Sequence, residues 1–296
     1  ENNAQLVGNV VRNVTLDNKA CVSISHSSNV MLTGNGYAAP NPDFKDCSVG
    51  IAANSSNSLQ IKSTKIDISE TVPSGRLQAP YGIKVNNSSN TTIGGSLTSD
   101  RVLLNNATYG IASQSNSGFS VKNSEIHIHA ETACFGQANY KNPYGISLNS
   151  SSNSFVYNNY FYFDGLPQSC PNSYSAFNAV GILADGGNSE ISTNYIYSLG
   201  KTMPYYNYPD ATWSRGISLS NSFDVVHDNH ISSNIRDSST TPPAGYYGID
   251  TAIQIVNPNA SRFSYNTISG VYHGFQLTAS SASTIYNIFR NSITDS

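Results

Sequence analysis

Short apolar runs alternate with polar turns along the whole chain, and one phrase recurs: an aromatic or apolar residue, then Gly, then Ile. It reads Val49-Gly50-Ile51, Tyr81-Gly82-Ile83, Tyr109-Gly110-Ile111, Tyr144-Gly145-Ile146, Val180-Gly181-Ile182, Arg215-Gly216-Ile217 and Tyr247-Gly248-Ile249. Ala20-Cys21-Val22 reads as a first copy and His273-Gly274-Phe275 as a degenerate last one. Each phrase opens a strand such as Gly145-Ile146-Ser147-Leu148. An Asn/Ser turn follows, then a second short strand, Phe155-Val156-Tyr157, and a third, Tyr160-Phe161-Tyr162-Phe163. Three short strands per repeat predict a triangular coil. No coil can bury its apolar face alone, so the coils must stack, with like residues in columns. The helical period of apolar positions is absent, which excludes an all-α fold.

A second register supports the stacking. Asn159, Asn194, Asn229, Asn266 and Asn291 each sit two residues before an aliphatic or aromatic residue, so stacking would place them in one ladder. Side-chain amides in a column can bond one another and the turn backbone, and Asn tolerates the left-handed turn conformation. The expected fold is all-β: a single-stranded, right-handed parallel β-helix of about nine coils, ~40 Å long at ~4.8 Å per strand. Residues 1–296 are expected to form one domain, either a segment of a longer protein or a stacking subunit, because neither end carries a polar cap.

Spacing between copies varies. The excess is expected between the third strand and the next Gly-Ile, in inserts at Tyr37–Ser48, Glu70–Pro80, Ala130–Pro143, Gly165–Ala179, Gly200–Ser214 and Arg236–Tyr246. Insertions at a constant repeat position line one edge of a solenoid. Their aromatics, Tyr174, Tyr205, Tyr206, Tyr208, Trp213 and Tyr246, are the candidate ligand contacts, since aromatic faces beside Asn and Ser suit sugar rings. Tyr81, Tyr109, Tyr144 and Tyr247 share the position before Gly and are expected to stack as a packing column. His127 and His129 are read as one face of a strand, and His227 and His230 as flanking a turn.

Composition narrows the class. Charged residues are 11% of the chain, net charge is −3, and there is no Lys/Arg cluster, so nothing points to nucleic acid. No apolar run approaches the ~20 residues of a membrane span. Cys134 and Cys170 each lie eleven residues before their Gly, and Cys21 and Cys47 fall in adjacent coils. Both pairs are expected to form disulfides, which places the protein outside the cell. No Cys-x-x-Cys or paired His suggests a metal, and no cofactor is expected. The Asn-x-Ser/Thr sequons match what an Asn/Ser-rich chain yields by chance.

The Gly-Ile openings, Asn/Ser turns and Asn-x-aliphatic third strands, from about residue 20 to 293, resemble the right-handed parallel β-helix, or pectin-lyase-like, superfamily. That resemblance implies the fold. For function it implies either polysaccharide lyases and hydrolases, including phage tailspikes, or non-catalytic adhesins and surface proteins. The Asn-Thr-Asp, Asp-Asp and Gly-His-Gly signatures of the hydrolase branch are absent. The carboxylates are too scattered for the Ca²⁺-binding cluster of the lyases. Asp185, Asp210 and Asp250 with Arg215 are the one candidate catalytic set, and Ca²⁺ enters only in the lyase case. The favoured expectation is an extracellular non-catalytic adhesin, fibre or surface module contacting carbohydrate, with end-to-end stacking or trimerisation. The alternative is a polysaccharide-degrading enzyme.

Overall fold

The computed structural model describes residues 3–12, 19–36, 39–68, 81–129, 143–164, 179–198, 214–233, 249, 251–257, 259–271, 273–278 and 287–294. These residues wind into a parallel β-helix whose coils stack three parallel sheets. Every strand pair is parallel.

The first sheet runs from Ala20–Ser25 through Val49–Asn54, Tyr81–Asn86 and Tyr109–Gln114. It continues in the opening halves of Tyr144–Tyr157, Val180–Ser192 and Arg215–His227, and ends at Thr251–Val256 and His273–Thr278. The second begins at Gln5–Val7 and Met31–Thr33, takes in the closing halves of the three long strands, and ends at Asn287–Phe289. The third runs from Val11–Arg12 and Phe44–Lys45 through Glu125–His129, Tyr160–Asp164, Tyr195–Ser198 and His230–Ser233 to Ser292–Thr294. Among the described residues there is no α-helix and one 3₁₀ turn, Thr98–Asp100.

The core is a set of aliphatic columns. Ile51, Ile83, Ile111, Ile146, Ile182, Ile217 and Ile253 are each fully buried and lie in register in the first sheet. Ile126, Phe161, Ile196, Ile231 and Ile268 do the same in the third. The alternation of the strands delivers this: inward Phe161 and Phe163 are buried, while Tyr160 and Tyr162, which alternate with them, face out.

The corners explain the Asn and Ser content. Ser55, Asn87, Ser115, Ser150, Asn221 and Asn257 follow the first strand and adopt positive φ, between +47° and +53°. Asn123, Asn158, Thr193, Asp228, Tyr265 and Arg290 form a second left-handed column after the second strand. Residues in this region pay a steric cost that Asn and Asp bear best. Directly after that column stands the asparagine ladder. The Nδ2 of Asn159, Asn194, Asn229 and Asn266 each donates to the Oδ1 of the next Asn, at 2.9–3.0 Å. That same Oδ1 accepts the backbone N–H of the preceding member.

Two readings of the repeat need correction. The last Gly-Ile phrase is not Tyr247-Gly248-Ile249: Arg215 pairs with Thr251 and Ile217 with Ile253. Thr251-Ala252-Ile253-Gln254-Ile255 carries the aliphatic alternation that continues Ile217 and Leu219, and small Ala252 replaces Gly at the tight corner. Nor do all inserts lie between the third and first strands. Phe44–Lys45, inside the first supposed insert, is itself a third strand paired with Ile66 and Asp67. The extra residues at 34–36, 39–43 and 95–102 instead enlarge the second corner. Such short strands inside a Pro- and Asp-rich stretch leave no legible alternation.

Cys21 and Cys47 form a disulfide with Cα atoms 5.8 Å apart, as the sequence suggests. Cys134 and Cys170 lie outside the described residues.

Candidate binding surface

The outer face of the third sheet carries an aromatic strip. Outward positions of adjacent coils align Glu125, Tyr160, Tyr195 and His230 in one column and His127, Tyr162, Tyr197 and Ser232 in the next. Tyr160 and Tyr195 are nearly parallel, with ring centroids 5.0 Å apart and planes at 7°. Tyr162 and Tyr197 stand 5.9 Å apart, and the His127 ring lies 4.8 Å from Tyr162. His230 closes the strip, 6.1 Å from Tyr195 and 5.8 Å from Tyr197. The tyrosine pairs and the His127–Tyr162 pair are stacked, while His230 is tilted against Tyr195 and Tyr197 by 39° and 52°.

The strip has a charged head. Arg101, supplied by the enlarged corner at 95–102, pairs with Glu125 at 3.2 Å and holds its guanidinium 5.2 Å from the centre of the Tyr160 ring. Glu125 also holds the His127 Nε2 at 3.0 Å. Burial, followed by the neighbouring phenols of Tyr162, Tyr195 and Tyr160, pushes the Tyr197 hydroxyl above the usual tyrosine range. Tyr197 therefore stays a neutral donor and acceptor at physiological pH.

A second aromatic column matches the expected packing stack. Tyr81, Tyr109 and Tyr144 follow one another at 4.7 Å centroid spacing. Burial, reinforced by the charge of Tyr81 and then Tyr109, raises the Tyr144 hydroxyl, and burial raises Tyr81, whose partner is Tyr144. The column does not continue to Tyr247, since Thr251 takes that register.

Of the candidate catalytic set, Asp210 and Asp250 lie outside the described residues. Asp185 and Arg215 do not meet. Arg215 opens its strand opposite Val180, and Asp185 is five positions further on, ~16 Å along the strand. Asp185 is exposed and accepts from Ser220 Oγ at 2.7 Å and Asn221 Nδ2 at 3.2 Å, a corner network. His227, half-buried on the second sheet, lies between Asp228 at 2.6 Å and Glu190 at 3.3 Å. Among the described residues no three His, Cys, Asp or Glu side chains form a metal-binding group. Tyr174, Tyr205, Tyr206, Tyr208, Trp213 and Tyr246 also lie outside the described residues.

Sequence reasoning passed over the strip. Its signal was present in the alternation Tyr160-Phe161-Tyr162-Phe163 and Tyr195-Ile196-Tyr197, where every second aromatic must face outward. Arg101 carried no such signal, because its position depends on the length of a corner.

No protein-family model matches the chain, and no curated protein matches its sequence. Solved structures of PfbA, a surface adhesin of Streptococcus pneumoniae, are similar to it in shape. One shares 9% sequence identity, covering 98% of this chain and 77% of that chain with a TM-score of 0.41. Another shares 9% identity, covering 98% and 91% with a TM-score of 0.32. The coil-by-coil strand register, independent of that likeness, defines the class: a parallel β-helix with an aromatic outer strip.

Proposed function

We propose that the chain is an extracellular, non-catalytic β-helical module, an adhesin, fibre or surface building block, that contacts carbohydrate through the tyrosine–histidine strip. The observation that carries this reading is the strip itself: four tyrosines and two histidines held in two rows on a rigid sheet. A soluble fold has no packing need to place six half-exposed rings side by side. Their edges offer hydroxyl and imidazole groups that match the alternating apolar and hydroxyl surfaces of a sugar. Arg101 and Glu125 largely cancel one another at its head, which fits a neutral glycan better than an acidic one. The insert aromatics leave the third strands beside this strip in sequence and belong to the same reading. The Cys21–Cys47 disulfide supports an oxidising, extracellular setting. Membership of the pectin-lyase-like superfamily, a single domain over 1–296, and end-to-end stacking or trimerisation are parts of the same proposal.

The test is a glycan array read with the purified chain and with Tyr160→Ala/Tyr195→Ala. The variant is expected to lose about tenfold or more in affinity, ~1.4 kcal/mol, while keeping its melting temperature within a few degrees. Unchanged binding would remove the strip from the proposal. The same polysaccharides, acidic ones included, are incubated with and without Ca²⁺ and assayed for cleavage. Turnover that disappears in Asp210→Ala or Asp250→Ala would favour the enzyme alternative.

A further inference from the structure

The outer face of the second sheet changes character half-way along the rod. In the earlier coils it is polar: Gln60, Thr92 and Ser120 stand in one outward column. The next coil sets Phe155 on Ser120 and Tyr157 on Lys122. From there on the face is largely apolar, and Phe155, Tyr157, Phe223 and Val225 are 43–58% exposed. Their strands are paired on both edges, so this exposure belongs to the face itself. The chain leaves for its inserts after Asp164, Ser198 and Ser233, at the ends of third-sheet strands, so none of these inserts starts from this face. Large apolar side chains grouped on an open sheet face mark a contact surface.

The order of residues on the face specifies the partner. One outward column reads Phe155, Glu190, Val225, Arg262, Asn287, and the next reads Tyr157, Ser192, His227, Ser264, Phe289. Both are close to palindromes about the strand that carries Phe223, Val225 and His227. In the second column a serine stands one strand to either side of His227 and an aromatic ring two strands to either side. In the first, a carboxylate stands one strand to one side of Val225 and a guanidinium one strand to the other. Glu190 and Arg262 are two strand spacings apart, ~10 Å, and form no ion pair with one another. The Arg262 guanidinium lies 4.8 Å from the centre of the Phe289 ring, and Glu190 lies 3.3 Å from the His227 Nε2.

A two-fold axis along the Phe223–His227 strand, in the plane of the face, turns the sheet onto a second copy whose rod runs the opposite way. It sets Glu190 opposite Arg262 of the second copy, and Arg262 opposite its Glu190. Tyr157 meets Phe289, Ser192 meets Ser264, Phe155 meets Asn287, and Phe223, Val225 and His227 meet themselves. Such an isologous contact makes every pairing twice and closes the assembly at two copies. Sheet faces packed in this way keep their strands aligned. We propose that the outer face of the second sheet, from Phe155 to Phe289, is the interface of a homodimer of antiparallel rods, with Glu190 and Arg262 fixing its register. This face is separate from the tyrosine strip on the third sheet and from the ends of the rod, so the proposal is independent of the carbohydrate reading.

The test is sedimentation of the full chain from micromolar to millimolar concentration, where a monomer–dimer equilibrium is expected. Glu190→Arg and Arg262→Glu each bring like charges together at both ends of the two-fold and should weaken the dimer at least tenfold. An equimolar mixture of these two variants should recover dimerisation, because every opposed pair then has opposite signs again. The double variant Glu190→Arg/Arg262→Glu should recover it for the same reason. Small-angle scattering of the unaltered chain reads the geometry without any substitution: the dimer should keep the monomer's length and gain in width. A chain that stays monomeric at millimolar concentration, a trimer, or a dimer of doubled length would overturn the proposal. So would single charge swaps that leave dimerisation unchanged, or a mixture that associates no more tightly than its components.

Discussion

At the scale of single residues, the strongest demands fall on buried polar groups. Asn229 is almost fully buried, accepts from the Asn194 backbone N–H and side chain, and donates to the Ile191 carbonyl and to Asn266. Replacing it with Ala strands several of these partners without water. At about 1–3 kcal/mol for each buried group left unpaired, Asn229→Ala should cost about 3 kcal/mol or more in urea denaturation. Asn291→Ala, at the end of the ladder, should cost less. Asp224 makes a different demand. It is buried, accepts from Ser189 Oγ and Ser222 Oγ, and its backbone N–H donates to Ser261 Oγ at 3.1 Å. Burial raises its carboxyl above the ordinary Asp value, outweighing the serine hydrogen bonds that lower it. A folded-state value above the unfolded one means that the native state holds the proton more tightly. Stability is therefore full below the unfolded value, about 3.9, and falls as pH rises through the folded value. Asp224→Asn removes the ionisation, so thermal melts from pH 3 to pH 7 should show the variant gaining on the wild-type chain as pH rises. A difference that stays constant with pH, or that shifts in favour of the wild-type chain, would contradict this account.

At the scale of elements, the recurrent glycine is a matter of space. A Cβ added at Gly82, Gly145, Gly181 or Gly216 would lie 2.6–2.7 Å from the carbonyl oxygen of the residue in the next coil. That oxygen belongs to backbone and cannot swing aside, so Gly181→Ala should destabilise the fold by about 1–3 kcal/mol, measurable by thermal or urea unfolding. This is also why Gly-Ile was such a legible signal. Interior columns and the asparagine ladder could be read because each depends on a residue type repeating at a fixed place in the coil, and the Cys21–Cys47 bridge because its two cysteines fall in adjacent coils. What could not be read depends on length and local geometry instead. Phe44–Lys45 is a two-residue strand with no alternation to betray it. Thr251-Ala252 substitutes for a glycine corner that a nearer Tyr-Gly-Ile phrase imitates. Arg101 reaches Glu125 and Tyr160 only because residues 95–102 widen a turn. The strip lay between these extremes, since its tyrosines followed from alternation but their mutual stacking required the register of successive coils.

At the scale of the whole molecule, stability is a sum over neighbours. Each coil meets only the coils above and below it, so the rod should behave as a one-dimensional chain of coupled units. Among the described residues, Leu277, Ile288 and Ile293 continue the columns of Ile255, Phe263 and Ile268 at 37–55% exposure. Binding surfaces on such a scaffold inherit its stiffness, because a sheet of paired parallel strands fixes the strip's outward side chains at the strand spacing.

The parallel ladders have one more consequence. Among the described residues adjacent coils are joined along all three sides by backbone hydrogen bonds, and between Ser233 and Ile249 the next coil is reached by one stretch of chain, whereas the first two coils are also tied by the Cys21–Cys47 disulfide. Cleaving that peptide link would leave every rung in place. A nicked molecule should therefore keep its shape and its circular dichroism, and separate into fragments only once denatured.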